Sequence, residues 1–169
     1  RTMEGLGILR LVLLANGFVE FKVEQKDGVW RLAVPARDRT KPMFVLYTGT
    51  EGFEEKEIAR NAFNGSWDKL PDGLAAELAA ISPNNNYGQI MRVFMITAAG
   101  AEGITLKNVR RVHLVEPYWH PVRTEQVIGR AMRLCSHEAL PRKDRTVDVV
   151  LYLMTFSAKQ RTEATKEML

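Results

Sequence analysis

The second half of the chain alternates short apolar runs with helix-forming sequence, and no other feature constrains the fold as strongly. The runs at 92–97, 109–115 and 147–154 are apolar and strand-like, and a helix is predicted over 121–134 between the last two. Strands that are apolar on both faces and alternate with helices are typical of a parallel sheet covered by helices on both sides. The sequence therefore predicts a three-layer, mostly parallel α/β fold.

The first half adds a helix, a hairpin and a further strand. A strongly apolar helix is predicted from Glu4 to Ala15, and Asn16-Gly17 ends it. Two β-rich runs, 18–23 and 29–34, flank Lys26-Asp27-Gly28, which is a good hairpin signal. We expect the remaining elements to be a strand at 43–47, helices at 51–63 and 71–81, and a turn-rich loop at 82–88.

Composition limits the class of protein without indicating a function. A chain of 169 residues is the usual size of one domain, with a net charge of +4 and 26% charged residues. The single cysteine, Cys135, excludes an intramolecular disulfide and suits a reducing compartment. No run of about eighteen uncharged apolar residues exists, so we expect no transmembrane helix. The chain begins abruptly inside a predicted helix, without a signal-peptide pattern, which suggests a piece of a longer polypeptide.

Charge is divided unevenly along the chain. Residues 51–77 carry seven acids and three bases, whereas residues 107–145 carry nine bases and four acids. The basic excess lies in the half that also holds the unusual motifs. It indicates either an ordinary solvated face or a surface that binds phosphate groups.

The predicted helix over 121–134 places several polar side chains together. At about 100° per residue, Gln126, Arg130 and Arg133 fall within roughly 60° of one another, with Arg123 close by. Two guanidinium groups on one face can bind a polyphosphate, and an arginine that reaches a γ-phosphate accelerates phosphoryl transfer by about 10³–10⁵. The alternative is an amphipathic helix with solvated arginines. The apolar residues predicted on the opposite side are Val127, Ile128, Ala131, Met132, Leu134 and Cys135.

A turn of small residues follows the strand at 92–97 directly. Its two glycines, Gly100 and Gly103, allow positive φ and close approach of the backbone to a ligand. Ligands of α/β proteins usually bind at the carboxyl ends of strands, so this turn is either a binding loop or a tight connection. The three histidines and Cys135 lack the spacing of a metal site, so we expect none.

Together these segments resemble the second RecA-like lobe of a superfamily-2 helicase or translocase. Residues 97–106, TAAGAEGITL, resemble helicase motif V, and residues 126–133, QVIGRAMR, resemble motif VI, whose usual form is QxxGRxxR. Residues 118–121 resemble the W-N-P sequence of the Snf2-like branch, with His120 in place of asparagine. EPYWHPVRTEQVIGRAMRLCSH at 116–137 and FNGSWDKLP at 63–71 resemble more closely the helicases of large cytoplasmic DNA viruses, relatives of poxvirus transcription helicases.

The resemblance implies a RecA-like fold and a role for each motif residue. It implies that residues 43–156 form the core that carries the motifs. Residues 1–42 would form a helix with a hairpin insertion, and residues 157–169 a C-terminal helix. Arg130 and Arg133 are expected to contact the γ-phosphate of ATP as catalytic residues. The resemblance also implies nucleotide contacts from Gln126, Gly129, Gly103 and Glu102, and nucleic-acid contacts from Thr97, Ala98 and Gly100.

The chain also departs from a complete helicase. It contains no Gly-Lys pair for a Walker A loop and no Asp-Glu pair for a Walker B box. ATP and Mg²⁺ would therefore be bound mainly by an absent N-terminal RecA-like lobe of the same polypeptide, and motif IV is expected upstream of Arg1. We expect this chain alone to be inactive.

Two functions remain open at this point, and a third has little support. The first is the C-terminal motor lobe of an ATP-dependent helicase acting on DNA or RNA. By resemblance, it would work with viral transcription machinery in a cytoplasmic viral factory or a virion, and not at a membrane. The second is an α/β module that binds nucleic acid or a partner without ATP. The third, a metabolite enzyme that uses the glycine turn, lacks a nucleophile or an acid–base pair.

Overall fold

The computed structural model describes residues 2–48, 52–97, 103–115, 120–153, 155–157 and 160, with the side chains of 2–4 and 123 left aside. Short 3-10 turns lie at Ala36–Asp38, Trp67–Lys69 and Arg142–Asp144. The helices are α1 (Thr2–Ala15), α2 (Phe53–Phe63), α3 (Asp72–Ile81) and α4 (Pro121–Ala131). The strands are β1 (Val19–Glu20), β2 (Val23–Lys26), β3 (Val29–Leu32), β4 (Met43–Tyr47), β5 (Met91–Ile96), β6 (Arg111–Leu114) and β7 (Asp148–Leu151).

The strands confirm the predicted mixed α/β class with parallel pairing. In one sheet β4 lies between β1 and β5, and both pairings are parallel. β6 and β7 form a second parallel pair, and β2 and β3 form an antiparallel hairpin. Within the described residues, the parallel strands are thus divided between two sheets rather than joined in one.

The hairpin turn is where it was predicted, but its first arm is not. Asp27 and Gly28 have φ of 52° and 77°, as expected for a two-residue turn of type I′. The predicted arm at 18–23 is wrong because Val19 and Glu20 pair in parallel with Met43 and Phe44 instead. A partner more than twenty residues away in sequence overrides the local hairpin signal there.

The main core lies between the three-stranded sheet, α2, α3 and the hairpin. Leu74 is fully buried, as are Met43 and Phe44. The Glu77 carboxylate on α3 accepts a hydrogen bond from Leu32 N at 3.3 Å and lies 3.1 Å from the Arg39 guanidinium. These contacts fasten the hairpin and the segment after it to α3, so this part of the chain packs on the core.

Three elements of the second half are shorter than predicted, among them β6, which covers 111–114 and not 109–115, and a further element lies largely outside the described residues. α4 ends at Ala131 and not at residue 134, and β7 ends at Leu151 and not at residue 154. The predicted C-terminal helix at 157–169 falls almost wholly outside the described residues. Among the helices that are described, none is both long and apolar enough to cross a membrane.

Candidate functional site

Helix α4 carries the polar face predicted for motif VI. Pro121 occupies its first turn, where the missing N–H costs nothing, and His120 precedes it with extended backbone. Gln126 and Arg130 are four residues apart and therefore lie one above the other on the same face. Gln126 and Gly129 are exposed, and a Cβ built on Gly129 would meet no atom within 4 Å. This face is open to an incoming group.

Arg130 is half-buried and incompletely bonded. Its Nε is buried and has no hydrogen-bond partner among the described residues. In the same part of the chain it forms no ion pair. A buried donor without an acceptor costs about 1–3 kcal/mol. An anion that reached this guanidinium would recover that cost.

Arg133 lies beyond the end of the helix, which corrects the prediction of a continuous helical face. Met132 is the C-cap of α4, so the 100° spacing no longer applies at Arg133. Arg133 is exposed, and its Nη1 donates a 2.7 Å hydrogen bond to Thr105 Oγ1. The turn after α4 therefore directs this guanidinium toward Thr105, in the last part of motif V.

The apolar side predicted for this helix is also only partly correct. Val127 and Ile128 are half-buried and Ala131 is buried, as expected. Met132, Leu134 and Cys135 are exposed instead, Leu134 to 95%. The chain leaves the helix before these residues, and Cys135 has a φ of +63°, in the left-handed region.

The strand that leads into motif V ends at a buried threonine. Thr97 follows β5, and its N–H donates to Tyr47 O at 3.2 Å, which continues the pairing of β5 with β4. Gly103 has a φ of +72°, the conformation for which a glycine was expected in this turn. Ala98, Gly100 and Glu102 lie outside the described residues, so their predicted contacts stay predictions.

The last part of motif V and the residues that follow it contact the end of α4. Ile104 and Leu106 are buried in the main core, whereas Thr105 between them accepts the bond from Arg133. Leu106 N donates to Arg130 O at 3.4 Å, and Asn108 N donates to Ser136 O at 2.9 Å. Residues 105–108 therefore run beside the end of α4. Because hydrogen bonds join the two segments, a displacement of one would displace the other.

Asn64 holds this segment from the other side, a role that sequence reasoning missed. Its Nδ2 donates to Thr105 O at 3.0 Å, and its Oδ1 accepts from Lys107 N at 2.7 Å. The side chain thus binds the backbone as a neighbouring strand would. Asn64 stands in the FNGSWDKLP sequence, but the pattern reads locally only as a helix stop.

Asn85 supports the same region from inside the core. Its side chain is buried, donates to the carbonyls of Phe63 and Met91 and accepts from the N–H groups of Ile90 and Met91, all within 3.0 Å. An asparagine amide has two donors and two acceptor positions, so its capacity is fully used. In the sequence it is one of three successive asparagines in a predicted surface loop, and nothing distinguishes it from its neighbours.

The described residues offer no ready metal site and a poorly reactive thiol. No group of three His, Cys, Asp or Glu side chains placed to hold a metal ion occurs in this part of the chain. His137 contacts Val109 O through Nε2 at 2.6 Å and Ser136 Oγ through Nδ1 at 2.8 Å. A hydrogen bond to Glu138, together with that carboxylate's charge, raises the pKa of the Cys135 thiol above its usual value.

Comparison with known proteins gives consistent matches. Residues 76–135 match the model of the helicase conserved C-terminal domain. A termination factor NPH-I homolog of African swine fever virus is 32% identical over 147 residues, which is 87% of this chain. A protein of Acanthamoeba polyphaga mimivirus, named as a candidate ATP-dependent RNA helicase, is 48% identical over 150 residues, or 89% of the chain. Nucleoside triphosphatase I of Choristoneura biennis entomopoxvirus is 36% identical over 85 residues, or 50%.

These relatives are much longer than this chain. It spans 17% of the African swine fever virus protein, 15% of the mimivirus protein and 13% of the entomopoxvirus protein. No solved structure shows a significant match to it.

Proposed function

This chain belongs to the superfamily-2 helicases, as a C-terminal RecA-like lobe of the kind found in large DNA viruses, and we propose that it acts as the motor lobe that supplies arginine fingers to ATP. The nucleotide and its Mg²⁺ would be held mainly by an N-terminal RecA-like lobe of the same polypeptide. Alone, this chain would not hydrolyse ATP, since it has neither a Gly-Lys nor an Asp-Glu pair.

One observation carries the proposal: the buried Nε of Arg130, which has no partner among the described residues. A guanidinium that internal carboxylates neutralised could not respond to a phosphate. Within the part of the chain that the structure describes, Arg130 instead keeps donors available, and Gln126 and Gly129 leave the surface beside it open. Planar guanidinium groups match phosphate oxygens with two hydrogen bonds at once.

Arg133 would act as the second finger and as the link to nucleic acid. Its hydrogen bond to Thr105 places it against the last part of motif V. If ATP drew this guanidinium toward the γ-phosphate, the bond to Thr105 would weaken or break. Motif V would then be released or shifted, and its residues Thr97, Ala98 and Gly100 would move with the nucleic-acid backbone that they contact.

Hydrolysis would reverse this sequence. Once the γ-phosphate leaves, the attraction that holds the two lobes together falls, and Arg133 returns to Thr105. Asn64 would hold the backbone of residues 105 and 107 in place, so the movement would be confined to the Arg133 side chain and to the part of motif V that precedes residue 105. A role in viral transcription is supported by the name of one relative, a termination factor; a viral factory or a virion is the compartment that we propose for it.

The test is to replace Arg130 with alanine in the intact protein and measure ATP turnover with saturating nucleic acid. We expect turnover to fall by about 10³-fold or more, because a finger arginine contributes about 10³–10⁵ in rate. Affinity for nucleic acid should stay nearly unchanged. Arg37→Ala is the matched control, since Arg37 is largely exposed and lies in the 3-10 turn Ala36–Asp38, outside motifs V and VI.

Two outcomes would contradict the proposal. Undiminished turnover in Arg130→Ala would remove the arginine-finger role. If nucleotide does not change the affinity for nucleic acid in either the unmodified protein or Arg130→Ala, the alternative is favoured, namely a lobe that binds nucleic acid or a partner without ATP.

A further inference from the structure

Positive side chains occur at the starts of β5, β6 and β7, and the segments before these strands meet at the exposed side chain of Tyr87. Arg92 is the second residue of β5, Arg110 precedes β6, and the 3-10 turn Arg142–Asp144 precedes β7. We call Tyr87, Arg110, Arg142 and Lys143 the basic-aromatic patch. All four side chains are exposed.

Direct contacts hold the patch together. The Tyr87 hydroxyl donates a 2.8 Å hydrogen bond to Asp144 Oδ2, and the Arg110 guanidinium carbon lies 5.1 Å from the centre of the tyrosine ring. Such a cation–π contact fixes the arginine over the ring. Three segments that are distant in sequence therefore meet at this point, and their charges act from one place.

The cations of the patch are not neutralised from within the chain. Among the described residues, Arg110, Arg142 and Lys143 form no ion pair. Asp144 contacts the patch through the hydrogen bond from the Tyr87 hydroxyl, and its single negative charge leaves the three cations in excess. That bond raises the pKa of Tyr87, so the hydroxyl remains a neutral donor. Three clustered, unpaired cations create a positive field that favours a polyanion.

The patch is separate from the motif V contacts. β5 is six residues long and therefore spans about 17 Å between its two ends. Thr97 lies at the carboxyl end of β5, whereas Arg92 and the patch lie at the amino end. A nucleic acid held at motif V would need to continue around the lobe, or a second stretch would need to bind, to reach the patch.

We propose that the basic-aromatic patch is a second nucleic-acid contact, which binds backbone phosphates independently of ATP. This inference rests on the proposed function for its ligand class. Arginine forks and a lysine bind phosphates irrespective of base sequence, and an exposed tyrosine ring can stack with an unstacked base. The patch adds affinity and processivity while the motif residues carry the coupling to ATP.

The experiment compares the intact protein with its Arg142→Ala/Lys143→Ala variant in binding single-stranded and duplex oligonucleotides over a range of salt. Each lost phosphate contact lowers the slope of log affinity against log salt by about 0.9 for a duplex and about 0.7 for a single strand. We expect the slope to fall by about 1.4–1.8 and affinity in 0.1 M salt to fall about tenfold or more. ATP turnover at saturating nucleic acid should not change.

The matched control is Lys22→Ala/Lys26→Ala, which removes the same charge from two exposed positions, one just before β2 and one at its end. It should leave the slope unaltered. If the patch variant keeps the slope and affinity of the unmodified protein, this inference is overturned and the charge serves another partner, such as an acidic protein segment. If the unmodified protein itself binds no nucleic acid, it is the proposed function that fails.

Discussion

Two regions of this chain differ in how completely they are buried. In the core region, residues 19–97, strand β4 and helix α3 bury Met43, Phe44, Leu74 and Leu78 completely. In the motif region, residues 111–151, β6 and β7 are at most half-buried, and Leu151 is 53% exposed. The core region has the packing that a stable fold requires. The motif region exposes Gln126, Arg133 and much apolar surface, which agrees with our proposal that a further lobe completes the site.

The comparison can be broken most directly by the same leucine-to-alanine change in each region. Leu74→Ala should cost about 2–5 kcal/mol in the free energy of unfolding, because it leaves a cavity in a packed core. Leu134→Ala should change it by less than about 0.5 kcal/mol, since the side chain is 95% exposed. Urea denaturation measures both. Equal losses would mean that the two regions do not differ as described.

Glycine-to-alanine changes sharpen the comparison with opposite signs. Gly65 has a φ of +67°, and a Cβ there would lie 2.9 Å from Asn85 N, so Gly65→Ala should cost at least about 1–2 kcal/mol. Gly129 lies in α4 with no atom within 4 Å of its Cβ, so Gly129→Ala should stabilise by about 0.5–1 kcal/mol.

The affinity for ATP gives a second test of Gly129. If the open face of α4 receives nucleotide, Gly129→Ala should weaken ATP binding in the intact protein even though the fold is more stable. Tm and the KM for ATP, measured on the same preparation, check this. Gain of stability without loss of ATP affinity would show that Gly129 does not face the nucleotide.

The smallest expected effect concerns the Cys135 thiol, which lies after α4 in the motif region. Since Glu138 raises the pKa of Cys135, its thiolate forms only at higher pH than in an ordinary cysteine. Alkylation by iodoacetamide at pH 8 should therefore be slower than for a free thiol and should rise several-fold in Glu138→Gln. The rate in Glu138→Asp, which keeps the charge, should stay nearer that of the unmodified protein. Equal rates in all three proteins would remove Glu138 as the cause.

The features predictable from the sequence are those that local patterns determine. The turn at Asp27-Gly28 is correct because these two residue types favour its positive φ angles, and Pro121 marks the start of α4 for a similarly local reason. The assignment of Val19 and Glu20 to the hairpin is wrong because their partner, β4, lies far away in sequence.

The site shows the same division. Gln126 and Arg130 share a face because helical spacing alone requires it. The end of α4 at Ala131 could not be seen, since Leu134 and Cys135 continue the apolar pattern of the helix. The hydrogen bonds from the Asn64 side chain require residues 105 and 107 to lie close to it in space, and a single sequence does not show that proximity.

The most direct test of Arg130 as a γ-phosphate contact is its effect on the choice between ATP and ADP. The measurement is the affinity of the intact protein for a non-hydrolysable ATP analogue and for ADP, in the unmodified form, in Arg130→Ala and in Arg37→Ala. A charge-assisted hydrogen bond is worth about 1.5–3 kcal/mol, so we expect the preference for the ATP analogue to fall about tenfold or more in Arg130→Ala only. A preference that is the same in all three proteins would contradict a contact between Arg130 and the γ-phosphate.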